Sequence, residues 1–284
     1  MGVTNFFKTT FLLLFLTLLV VFCGYALGGP SGLMVAFFFA CLMNLVSYWF
    51  SDRIALAMHR AQPLTKDEAP EVFEIVRQLS EKAGIPAPRL YMLPSASANA
   101  FATGRDPKHA AIAVTHGIVG LLNQEELSGV LGHEFSHILN HDILLSSIVA
   151  TLAGALSMIA SMFRWSFFWG GERDDRDNGH PLAWIMVSIV MPLVAMLIQL
   201  AISRSREYGA DLGGAKLCEE PLYLASALRK IEAASKRLPL RDAVPATAHL
   251  FIVNPLSGKG WTALFSTHPS IEDRVTRLET LSLQ

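Results

Sequence analysis

"VLGHEFSHILNHDILL" (Val130–Leu145) sets three histidines, a glutamate and an aspartate directly before a long uncharged run. It joins titratable chemistry to what has the composition of a membrane span. Asn123, followed three residues later by Glu126, has the form of an N-cap with its reciprocal partner. The spacing predicts a helix from about Gln124 to His141. His133 and His137 are four residues apart, so they share a face of that helix and both imidazoles can reach one metal ion. Glu134 points about 100° away around the helix. That puts it beside the ion's open position, where it can take a proton from water. His141 lies two turns from His133, about 12 Å along the axis. One helix cannot wrap all three histidines around one ion, so His141 is expected outside the first shell.

A third ligand is offered by "SRSREYGADLGGA" (Ser203–Ala215), where Glu207 and Asp211 again stand four residues apart on an expected helix. Glu207 completes a two-histidine, one-glutamate catalytic site with its fourth position open to water. Asp211, one turn on, can accept from the far nitrogen of a ligand histidine and fix its tautomer. The alternative reading of this pair is a solvated helix face.

Composition supplies the setting. Of 284 residues 52% are hydrophobic and only 17% are charged, below the usual quarter. No charged residue or histidine falls within 9–51, 143–163 or 181–203. Each run, or each half of the first, has the roughly 20 residues that a helix needs to cross a bilayer. "GGPSG" (Gly28–Gly32) is turn chemistry inside the first run, which therefore reads as a hairpin with spans of about 9–27 and 33–50. A cleaved signal peptide is disfavoured by the length of the run and the second span that follows.

Residues 1–60 are thus expected as an N-terminal transmembrane hairpin. Residues 61–284 are expected as one polar domain, interrupted by a second hairpin with spans of about 143–163 and 181–203. The loop between those spans balances three arginines with four acids, whereas Lys8, Arg53, Arg60, Lys66, Arg204, Arg206 and Lys216 flank the other side. The positive-inside rule then places both termini and the polar domain in the cytoplasm. Two spans lie between His137 and Glu207, and an even number of crossings returns the ligands to one side.

Three cysteines lack metal-site spacing. The net charge of −1 argues against a nucleic-acid partner. The polar domain opens with a helix whose apolar face is Val72, Phe73, Val76 and Leu79, with Gly84 placed to cap its end. Short strands are expected at "RLYML" (89–93), "NAFAT" (99–103) and "AAIAV" (110–114). The fold class is α+β, mostly helical, with a small β-sheet.

"LGHEFSHILNHD", "SRSREYGAD", "ATAHLFIVNP" and "LFSTHPSIEDRVTRL", in that order, resemble the HtpX-like membrane-integral zinc metalloproteases. These belong to the gluzincin group, which also includes the CAAX prenyl proteases, and the resemblance runs from the first hairpin to the C-terminus. It implies a gluzincin-type protease domain in the bacterial inner membrane, facing the cytoplasm, with one catalytic zinc. It also implies proteolytic quality control of misfolded or damaged membrane proteins under stress. The family pattern places zinc ligands on His133, His137 and Glu207 and the base on Glu134, and it covers Asp211.

"SANAFATG" (Ser97–Gly104) resembles the gluzincin edge strand beside the active-site helix. Asn99, Ala100, Phe101 and Ala102 would there bind substrate backbone, or form a plain edge. His268 is read either as a donor to the tetrahedral oxyanion or as a member of a buried polar network with Arg274, the latter preferred. The expected partners are unfolded or membrane-protein substrates and the lipid bilayer.

Three other functions fit the sequence less well. A more selective prenyl-protein processing protease would need more spans around a chamber. A non-catalytic zinc-binding scaffold or chaperone would normally have a fourth protein ligand. A metal transporter would place its polar ligands within the spans.

Overall fold

The computed structural model describes residues 3–154, 204–237, 245–253 and 269–283. His268, the charged loop 164–180 and the expected span 181–203 lie outside the described residues, as does 155–163. The described chain is mostly helical with a small mixed sheet.

Helix α1 (Val3–Met58) is not straight. Gly29 has φ +58°, a left-handed conformation that glycine adopts without penalty, and Pro30 follows where a missing N–H matters least. The chain doubles back there, because the Asn44 side-chain amide donates to the Thr17 hydroxyl at 2.8 Å. In an unbroken helix those residues would stand about 40 Å apart. Large apolar side chains cover the outside of this hairpin, with Phe22 68% and Val35 72% exposed. A helix with that surface is stable against lipid and not against water.

Gly29–Met58 is long and apolar enough to cross a membrane. At 30 residues it measures about 45 Å, so its end projects beyond the hydrocarbon into the polar domain. Helix α5 (Asp142–Gly154) is also apolar, but differs in placement. Ile143, Leu145, Ile148, Val149 and Ala153 are all buried, so the described part of the expected third span is enclosed by protein. Uncharged composition cannot separate these two fates, since a protein interior and lipid exclude charge alike.

The sheet has strands β1 (Gln62–Pro63), β2 (Arg89–Leu93), β3 (Ala100–Gly104) and β4 (Ala110–Thr115). Their order is β1-β2-β4-β3, with β2 and β4 parallel and the outer pairs antiparallel. Every residue of β3 and β4 is buried, because both faces are covered. One face, with Ala100, Ala102, Ile112 and Val114, packs into the main core with Val130, Leu131 and Phe135 of helix α4 (Gln124–Leu139). The other, with Phe101, Ala111 and Ala113, meets Ala55 and Leu56 at the end of α1. The short strand β1 was not anticipated, since two residues show no period.

Helix α2 (Pro70–Ala83) ends at Gly84 with φ +66° and buries Val72, Ile75, Val76 and Leu79. Helix α3 (His116–Leu121) leads into α4. The Asn123–Glu126 capping box is formed in full. Helices α6 (Arg204–Cys218) and α7 (Pro221–Arg237) pack against α4, and α8 (Ile271–Ser282) packs on α7 and α6.

The α4–α6 contact is backbone to backbone. A Cβ on Gly214 would stand 2.6 Å from the His133 nitrogen, and one on Gly132 would stand 3.1 Å from the Gly214 carbonyl oxygen. Gly214→Ala should therefore force the helices apart and lower stability by about 1–3 kcal/mol. A lower thermal midpoint for the detergent-solubilised protein is the expected result, and an unchanged midpoint would show that the helices yield without cost.

Candidate active site

Helix α4 presents His133 and His137, and α6 presents Glu207 and Asp211. Glycines on both helices hold the pair close enough to converge. The two imidazole Nε2 atoms are 3.2 Å apart. The Glu207 carboxylate lies 3.8 Å from His133 Nε2 and 3.7 Å from His137 Nε2. Together these three residues offer ligand atoms within 4.8 Å of one another, and both His133 and Glu207 are buried.

The far side of each ring sets its tautomer. His133 Nδ1 is 2.9 Å from Asp211 Oδ1, and His137 Nδ1 is 3.0 Å from Asp142 Oδ2. A carboxylate only accepts, so each Nδ1 carries a proton, and each Nε2 faces inward and offers its lone pair when the ring is neutral. Two ring nitrogens and a carboxylate then face one another in a buried space, an arrangement that calls for a positive charge between them, a metal ion or, with none bound, a proton on His137 Nε2. The donor set fits a single metal ion.

Charge balance continues outward. Arg274, 1% exposed, donates from Nε and Nη2 to Asp211 at 2.9 and 2.7 Å, and from Nη1 to the Ile252 carbonyl at 3.0 Å. Its guanidinium holds the Asp211 carboxyl well below the usual range, against the opposing effect of burial. On the other ring, Arg206 Nη1 lies 3.8 Å from Asp142.

Burial holds the His133 ring down to about 4. It also opposes charge on His137, but the Asp142 hydrogen bond and the Glu207 and Glu134 charges prevail and raise that ring to about 9. Glu134, 2% exposed, is pushed up to about 7, chiefly by burial. The backbone amide of Ala102 donates to its carboxylate. Side chains from β3, α5, α6 and residues 249–252 complete a cleft around His133, Glu134 and His137.

The structure brings together His133, Glu134, His137, Glu207, Asp211 and Arg274, and it sets Ala102 against Glu134. His141 stands apart, since α4 ends at Leu139 and His141 adopts φ +56° in the turn to α5. Asn99 is engaged elsewhere: its side chain donates to the Val253 carbonyl at 2.9 Å, and Ala100 accepts from Ile252 N at 3.2 Å. Phe101 turns to the opposite face, against Phe251.

Two charged residues of the cleft, Asp142 and Arg206, escaped the sequence reading. Asp142 stands five residues after His137, a spacing that a continuous helix would turn away from the ligand face. Only the break at His141 swings it back.

The sequence profile of peptidase family M48 matches residues 66–282, and the chain belongs to that family. A Protease HtpX homolog of Syntrophobacter fumaroxidans is 52% identical over 278 residues, covering 97% of this chain and 99% of that one. A Protease HtpX homolog of Pyrococcus furiosus is 49% identical over 284 residues, covering 100% and 98%. The crystal structure of S. mikatae Ste24p matches with a TM-score of 0.51 at 20% identity, a likeness of fold, and the chain spans 66% of that chain's length. The chain is a membrane-anchored metalloprotease.

Arg274→Met would leave the Asp211 charge buried and uncompensated. The expected cost is about 3–5 kcal/mol, measured by denaturant unfolding in detergent. Adding Asp211→Asn should recover part of that loss, giving a non-additive cycle. Strict additivity would show that the pair is not coupled.

Proposed function

We propose that the chain is a zinc endopeptidase in which His133, His137 and Glu207 hold the ion, Glu134 is the general base, and Asp211 and Asp142 orient the two rings. The observation that carries this reading is the convergence of both Nε2 atoms on the Glu207 carboxylate. With zinc–ligand bonds of about 2.0–2.1 Å, the edge of a tetrahedron is about 3.3 Å. The nitrogen pair stands 3.2 Å apart, and the carboxylate needs only a small inward shift from 3.7–3.8 Å. Zinc held there supplies a Lewis acid that polarises a peptide carbonyl and acidifies water.

The protein's own part is proton handling and alignment. Glu134, buried beside the two imidazoles and against Ala102, is placed to take a proton from water and return it to the leaving amine. Ala102, on the side of β3 that faces Glu134, offers its main-chain carbonyl to an extended peptide. The Asp211–Arg274 pair keeps His133 from rotating. His268 remains a candidate donor to the oxyanion.

The proposed setting is a multi-pass protein of the bacterial inner membrane with both termini and the catalytic domain in the cytoplasm. It is supported by the uncharged runs and the lysines and arginines beside them. The proposed substrates are misfolded or damaged membrane proteins, cut as part of quality control. An apolar anchor favours chains presented at the bilayer, and a main-chain docking strand favours unfolded segments over particular side chains.

Glu134→Gln should keep about one zinc per chain and lose about 10²–10⁴-fold in cleavage of an unfolded substrate, with metal content and proteolysis measured together. Equal cleavage by the two proteins would remove Glu134 from the mechanism.

A further inference from the structure

Side-chain contacts fix the level of the cleft along α1. The uncharged stretch of α1 ends at Ser51, with Asp52 and Arg53 beyond it and Tyr48 and Trp49 just inside. Aromatic residues followed by charges mark a membrane interface. Arg105, in the β3–β4 turn, lays its guanidinium 4.8 Å from the Trp49 ring centroid. Arg89, at the start of β2, pairs with Asp52 at 2.6 Å. At the opposite end of β3, the Phe101 ring lies 5.6 Å from the His59 ring.

These contacts set a direction. Trp49 to His59 is about 15 Å of helix, and Arg105 to Phe101 is about 13 Å of strand. The lengths agree, so β3 runs beside the emerging end of α1, with its turn at the interface and its start away from it. Ala102 lines the cleft and is three residues from Arg105, about 10 Å above the interface. The offset is rigid, because Ala55 and Leu56 are buried against Phe101, Ala111 and Ala113.

We propose that this enzyme has a minimum cutting distance: a peptide bond reaches the cleft only when about three or more extended residues separate it from the end of the substrate's span. This rests on the proposed membrane-protein substrates. Bonds just past that limit are cut fastest. A bond nearer the bilayer cannot reach, since its chain is too short to climb about 10 Å. A bond farther out reaches by looping, and its effective concentration falls only as about the −3/2 power of the intervening length. The preferred substrate is therefore an unfolded segment immediately outside a span, and neither the span itself nor a free soluble chain.

The test uses the full-length zinc-loaded protein in vesicles of phosphatidylethanolamine and phosphatidylglycerol. Single-span substrates carry one cleavable sequence in a Gly/Ser linker, at about 1, 4, 8, 16 or 32 residues from the span. Rates are measured and new termini are mapped by mass spectrometry. Cutting at the shortest offset should be at least about 10-fold slower than at 4–8 residues, then decline by no more than about 8-fold from 8 to 32. Equal rates at offsets 1 and 8, or a profile flat throughout, would overturn the proposal. An unfolded soluble protein serves as control in the same vesicles. If native protein cuts it and Glu134→Gln does not, a flat profile defeats the depth inference alone. If neither substrate is cut, the protease reading falls and the depth inference with it.

Discussion

The close passage of α6 against α4 is the constraint on which the rest depends. Gly214 sits where any side chain would collide with the backbone of His133, and Gly132 and Gly129 let α6 and α7 approach α4 in the same way. Only at that separation do carboxylates on one helix reach imidazoles on another, because an Asp or Glu side chain spans only a few ångströms. The gain is a rigid site on regular elements, where each side chain's position follows from backbone geometry and not from a mobile loop.

Such closeness concentrates charge in a space that water barely enters, and the structure answers with alternating signs. His133 leans on Asp211, which leans on Arg274, which also ties down the Ile252 carbonyl. His137 leans on Asp142, with Arg206 near by. Isolated ions at this depth would cost far more than a fold of this size can spare. Linked in chains they hold the rings in one tautomer, and Glu134 remains the carboxylate whose charge burial opposes most directly.

The sheet turns this centre into something a membrane protein can use. One face supports α4 and the other rests on the end of α1, so the site is attached to the anchor through a few residues of packed apolar contact. At β3, Ile252 pairs with Ala100, Ser147 meets Thr103 and Gly104, and Ala102 between them faces Glu134. The part of the edge left without these partners is thus narrowed to Ala102, opposite Glu134. Covering the rest also removes an open strand edge that would otherwise pair with other chains.

Features carried by local chemistry were legible in the sequence. The His133–His137 spacing, the Asn123–Glu126 cap, the Gly84 stop and the glycine-rich break near Gly29 each depend on residues within one or two turns. Three of the four strands were legible for the same reason. Glu207 and Asp211 were legible as a pair, though their meeting with α4 needed the resemblance or the topology to suggest it. Asp142, Arg206 and the bonds that hold Asn99 and Ala100 to residues 252–253 were not. Asp142 depends on a left-handed residue at His141, and Asn99 on a segment 154 residues away. The burial of α5 within protein was hidden as well, because lipid and a protein core select the same apolar residues. The sequence by itself determined which titratable groups share a helix face, since their spacing on a helix is set by 3.6 residues per turn. Tertiary structure alone decided which charges neighbour them and how far the site stands from the bilayer, since those depend on contacts between segments distant in the chain.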